Sequence, residues 1–152
     1  MNYIKKVKLH SKALSQCFSM IENIEILLQY NNLSIKEIFR VLSNNKTYNL
    51  LSFLEKINDY FQNKEFEYFL NDKNISCIKS NMYLNSEDKQ ILLDFFYSLG
   101  KSDLNGQLIY CKTYKDAIKK KQKEYELKEI GDCKSTGMLI LGIGFLIVIM
   151  VI

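Results

Sequence analysis

Residues 24–38 read IEILLQYNNLSIKEI, and this stretch decides the fold. Ile24 and Leu28 close an apolar stripe that begins at Leu14 and passes through Cys17 or Phe18 and Ile21. Spacings of three and four place these side chains along one helix face. Asn31 and Asn32 break the pattern, because asparagine tolerates the left-handed conformation that ends a helix. Ser34-Ile35-Lys36-Glu37 then has the form of a capping box, in which the serine hydroxyl and the glutamate carboxylate occupy the first free amides. Leu33 before the cap and Ile38 after it form the matching hydrophobic staple. Two helices joined by so short a corner are expected to be antiparallel.

Outward from this hairpin the pattern stays helical. Ser43, Asn44 and Asn45 make the next break, and a third helix is predicted over 46–62 with Leu50, Leu51, Phe53, Leu54, Ile57 and Phe61 apolar. A short aromatic helix is predicted over 65–70. Residues 71–85 are polar, broken by four asparagines, and yield no clear element. Asn85 or Ser86, followed by Glu87 and Asp88, has the character of a helix start, since acids suit the positive end of the helix dipole. Ile91, Leu92, Phe95, Phe96 and Leu99 line one face of that helix until Gly100 stops it. The next helix begins near Leu104 or Gln107, meets no breaker before Gly131, and can continue into the C-terminal segment as one rod.

Composition agrees with an all-α reading. The chain has 152 residues, no proline and six glycines, too little turn chemistry for a sandwich, a barrel or a glycine-rich dinucleotide fold. A net charge of +4 without a clustered patch does not indicate nucleic acid. Four cysteines at 17, 77, 111 and 133 lack metal-site spacing and read as small buried hydrophobes. His10 is the only histidine, which nearly excludes histidine-based triads and metal sites. Acid pairs such as Glu22 with Glu25 and Glu65 with Glu67 read as solvated faces. No catalytic, cofactor or metal residues are therefore expected, and the chain reads as a protein that holds something.

Gly137 to Ile152, GMLILGIGFLIVIMVI, carries no charge over sixteen residues. With Ser135 and Thr136 it measures roughly 24–27 Å as a helix, slightly under a ~30 Å hydrocarbon core. The predicted architecture is a multi-helix cytoplasmic bundle over 1–134, followed by one transmembrane helix over 135–152. Between Lys112 and Lys134 there are eight lysines and five acids, including Lys119, Lys120, Lys121 and Lys123. Lysine density beside a membrane helix marks the cytoplasmic side. Attraction of this run to anionic lipid headgroups is compatible with that orientation.

Three stretches resemble the stage III sporulation protein AB family. Ile24, Glu25, Leu28 and Tyr30, followed by Ile35, Glu37 and Ile38, are similar to the end of its first helix, its corner and its second helix. Residues 99–107, Leu-Gly-Lys-Ser-Asp-Leu-Asn-Gly-Gln, are close to its Leu-Gly-x-Ser-Asp-x-x-x-Gln pattern. A charged helix leading into a C-terminal apolar segment repeats its layout. Two features differ. Members of the family usually begin with a membrane helix, whereas in this sequence Met1-Asn2-Tyr3-Ile4 precedes Lys5, either because the helix is missing or because the start is clipped. Ser34 and Leu27 stand where the corner proline and second glutamate are usual.

The resemblance implies a fold similar to the cytoplasmic domain of type II secretion and type IV pilus platform proteins. It implies a component of the channel between mother cell and forespore, in the mother-cell (outer forespore) membrane. The expected partners are a motor ATPase like stage III sporulation protein AA, other membrane proteins of that channel, and membrane lipid. Candidate partner-binding residues are Glu25, Glu37, Leu99, Gly100, Ser102, Asp103 and Gln107. Asp103 is also expected to cap the last helix. The alternative is a tail-anchored cytoplasmic adaptor unrelated to sporulation, which composition fits equally well.

Overall fold

The structure is a computed structural model that describes residues 3–30, 33–63, 72–99 and 101–151, with side chains described over 5–30, 33–60, 76–99 and 101–127. Among the described residues the fold is all-helical: α1 (Tyr3–Tyr30), α2 (Ile35–Ser43), a 3-10 turn (Lys46–Tyr48), α3 (Phe53–Asn63), α4 (Asp72–Lys79), α5 (Ser86–Leu99) and α6 (Leu104–Val151). The predicted stripe of α1 is the core face. Leu14, Cys17, Ile21, Ile24 and Leu28 are all buried there. The predicted Asn31–Asn32 corner, the 65–70 helix and Gly100 lie outside the described residues.

The capping box forms as the sequence requires. Glu37 N donates to Ser34 Oγ, while Ser34 N donates to Glu37 Oε2 at 2.9 Å. Ile38 is fully buried, and Leu33 packs partly buried against the core. The core itself is aromatic at its centre. Phe96 touches Phe39 of α2, Phe53 of α3 and Phe95 of its own helix, with ring centroids 5.3–6.1 Å apart in tilted or edge-on arrangements.

The third helix starts later than its apolar spacing predicts, at Phe53 rather than residue 46. The reason is a buried polar lock that takes both backbone groups of Leu50 out of helical pairing. Gln16, only 6% exposed on α1, accepts from Leu50 N at 3.0 Å and donates to Asn49 Oδ1 at 2.8 Å. Asn81, just after α4, donates to the Leu50 carbonyl at 2.9 Å. Asn45 caps the 3-10 turn by accepting from Thr47 N. Residues 71–85, which yield no element from sequence, contain α4, whose Ile78 is fully buried.

Helix α6 is one rod, as expected, and α1 packs chiefly along it. Three contacts fix an antiparallel register: Glu25 with Lys115, Ser15 with Gln122, and the His10 ring against the Tyr125 ring. Among the described residues of α6, Cys111 and Ile118 are buried in the core, and Leu108, Tyr114 and Tyr125 pack partly buried beside them. Among the described residues no helix is long and apolar enough to cross a membrane. The side chains of the predicted 135–152 span lie outside those described, although its backbone is helical to Val151.

Candidate functional site

The corner between α5 and α6 is built from its own polar atoms. α5 ends at Leu99, and Lys101 N returns to the Ser98 carbonyl at 3.1 Å. Asp103 Oδ1 accepts from Gly106 N at 3.0 Å, so Asp103 is an N-cap of α6, as its position predicted. Gln107 reaches back in turn, donating Nε2 to the Ser102 carbonyl at 3.0 Å, while its backbone N donates to the Asp103 carbonyl at 2.9 Å. Ser102 Oγ is buried without a hydrogen-bond partner among the described residues.

Gly106 is the corner position whose steric constraint sequence reading passed over. A Cβ there would lie 2.7 Å from Ser102 Cβ and 2.9 Å from its Oγ, so only glycine lets the first turn of α6 close onto Ser102. The signal was present in the quoted 99–107 stretch, but a glycine inside a helix start reads as a weak position until the neighbour is seen. Lys101 sets its ammonium 3.2 Å from the centroid of the Tyr97 ring, which keeps that cation at the exposed rim.

The structure brings together Ser102, Asp103 and Gln107 and places Leu99, Glu25 and Glu37 elsewhere, while Gly100 lies outside the described residues. Leu99 is fully buried and its side chain belongs to the core. Glu25, on α1, forms an ion pair with Lys115 of α6, so it ties the two long helices together. Glu37 is exposed at the start of α2, and its hydrogen bonds to Ser34 hold its carboxyl below the ordinary carboxylate range. Neither glutamate contacts the α5–α6 corner through any hydrogen bond of the described residues.

A second polar cluster was not visible from spacing. His10 of α1 lies 2.6 Å from Asp88 of α5, and Asp88 is 2% exposed. Asn85 caps α5 by accepting from Asp88 N at 2.8 Å, and its own N donates to Asp88 Oδ2 at 3.3 Å. Asn85 Nδ2 also donates to the Tyr125 hydroxyl on α6. Asp88 Oδ1 is buried with no hydrogen-bond partner among the described residues. The lone histidine is thus committed to a junction of α1, α5 and α6. Burial pushes the thiols of Cys17, Cys77 and Cys111 up, Cys111 to about 12, which disfavours the reactive thiolate. Among the described residues no group of three His, Cys, Asp or Glu side chains could hold a metal ion.

A family model described as Stage III sporulation protein AB (spore_III_AB) matches residues 1–152. The chain belongs to the stage III sporulation protein AB family. Its role is accordingly in sporulation. The match spans the first hairpin, the 99–107 corner and α6 alike. No curated protein and no solved structure matches the chain.

Proposed function

We propose that this family member is a membrane-anchored platform component of the mother cell–forespore channel, docking a motor ATPase of the stage III sporulation protein AA kind to the membrane assembly. The observation that carries this reading is the continuity of α6. One helix begins at the polar Ser102–Gln107 corner and runs without interruption into the apolar residues 137–151. A contact made at the corner would be transmitted to the bilayer through a single rigid element rather than a linker. The reading places residues 135–152 across the membrane and the helical body on the cytoplasmic face. It assigns the chain no catalysis and gives the exposed residues of the corner, with Glu25 and Glu37, to partner contact.

The platform fold of type II secretion and type IV pilus machines enters here as part of the same reading, supported by the all-helical body. The test is deletion in the source organism, scored by heat-resistant spores and by forespore shape after engulfment. Spore loss with small, collapsing engulfed forespores supports the channel role. Normal spore yield would sink it and favour a tail-anchored adaptor.

A further inference from the structure

The antiparallel register of α1 and α6 carries the N-terminal lysines toward the membrane end of the rod. His10 is level with Tyr125, and α1 continues past it to Lys8, Lys6 and Lys5, all exposed. At ~1.5 Å per residue, Lys5 lies ~8 Å beyond His10 along the helix, while Ser135 lies ~15 Å beyond Tyr125. Lys5 therefore stands only ~7 Å short of the start of the uncharged segment, and Lys8 ~12 Å short. The polar headgroup layer is about 5–7 Å deep on each side of the hydrocarbon, and screening reaches about 8 Å at physiological salt. The first turns of α1 fall within reach of that layer.

The lysine run of α6 is worse placed. Lys123 and Lys119 lie roughly 18 and 24 Å from Ser135, beyond two screening lengths. Lys121 is also occupied, bonded to Glu87 at 2.5 Å and Glu124 at 3.2 Å, which pushes its ammonium pKa up. Nearer the membrane the sequence of α6 offers no net positive charge. Between Tyr125 and Ser135 it carries Glu126, Glu129 and Asp132 against Lys128 and Lys134, a balance of −1. Adding Lys5, Lys6 and Lys8 turns this end to +2. The positive flank at the bilayer is supplied by a helix more than a hundred residues away in sequence.

We infer that Lys5, Lys6 and Lys8, at the exposed start of α1, form a surface that binds anionic phospholipid headgroups and seats the α1 edge of the bundle on the membrane. The inference rests on the membrane-anchored reading above. Its occupant is chosen by charge complementarity and by continuity with the apolar segment.

The sequence has no tryptophan, so Tyr3→Trp places a single reporter beside these lysines. The full chain is reconstituted into phosphatidylcholine vesicles with and without phosphatidylglycerol, each carrying a nitroxide-headgroup lipid. Flotation after alkaline carbonate checks the anchor. The expected result is stronger tryptophan quenching with phosphatidylglycerol. This gain is lost in Lys5→Gln/Lys6→Gln/Lys8→Gln and at about 0.5 M salt. It is retained in Lys119→Gln/Lys120→Gln/Lys123→Gln. Floating vesicles whose quenching ignores the first triple substitution overturn this inference alone. Failure to float overturns the anchored reading and the inference with it.

Discussion

The Nε2 atom of His10 lies 2.6 Å from Oδ2 of Asp88, joining α1 to the first turn of α5 across 78 residues of sequence. This contact shields one oxygen of a carboxylate whose side chain is 1% exposed. His10→Ala leaves Asp88 buried with only the Asn85 backbone amide on Oδ2. The expected cost is about 1–3 kcal/mol, the range for stranding a buried polar group. Urea unfolding measures it as a lower midpoint at unchanged slope. A midpoint equal to wild type would show that the histidine contributes nothing to the junction.

Glu25 and Lys115 are both partly exposed, at 24% and 18%, and belong to the two longest helices. If the pair only ties α1 to α6, each single alanine substitution costs up to about 1 kcal/mol and the double costs little more than either. A double-mutant cycle by thermal melting reads this coupling. Glu25→Gln that keeps its melting temperature yet loses binding to the ATPase would instead give the residue to a partner.

Gly106→Ala should destabilise the protein although alanine is the better helix former by about 1 kcal/mol. The added Cβ meets Ser102 Cβ at 2.7 Å, an atom fixed to the backbone that cannot swing aside. Ser102→Gly in the same chain removes the obstructing atoms and should restore part of the loss. Melting temperatures of the two single variants and the double decide the point; an unharmed Gly106→Ala would mean the corner yields freely.

Asp103→Ala removes the acceptor for Gly106 N and is expected to cost about 1 kcal/mol, with Asp103→Asn costing less because asparagine also caps. Circular dichroism melts test this. Equal stability of all three, combined with lost spore yield in the alanine variant, would move Asp103 from capping to partner recognition.

The capping box makes α2 acid-sensitive in a predictable direction. The Glu37 carboxyl is held below its ordinary value near 4.5 by the Ser34 hydroxyl and amide. A depressed folded-state pKa means that this stabilisation is fully present above about pH 4.5. It is lost as pH falls through the lower, folded-state value. Wild type should therefore lose more stability than Glu37→Gln between neutral pH and about pH 3. Identical acid profiles for the two chains would count against the reciprocal bond.

Much of this fold was legible because its signals are local. Ser34 and Glu37 are three residues apart, and their mutual bonding needs only the first turn of one helix. The stripe of α1, the start of α5 at Ser86 and the single rod of α6 likewise follow from periodicity and the absence of breakers. The cap at Asp103 was legible for the same reason. Where the sequence misled, distant residues intervened. Leu50 and Leu51 fit a helical stripe beginning at residue 46, yet Gln16 and Asn81 take the Leu50 backbone groups and delay α3 to Phe53.

Candidate residues divided along the same line. Leu99 and Glu25 looked alike as family-pattern positions, but packing buried the first and paired the second across helices. The amino-acid sequence by itself determined the helical class, the caps, the apolar C-terminal stretch and the family. Only the tertiary structure decided that His10 meets Asp88, that Gly106 must lack a side chain, and that Lys5 stands near the end of the rod where the apolar residues begin. Capping and periodicity are governed by neighbours within a turn or two. The first and third relationships depend on how helices distant in sequence pack into register, which whole faces set. The second depends on the path of the α5–α6 corner, which brings Ser102 against the first turn of α6.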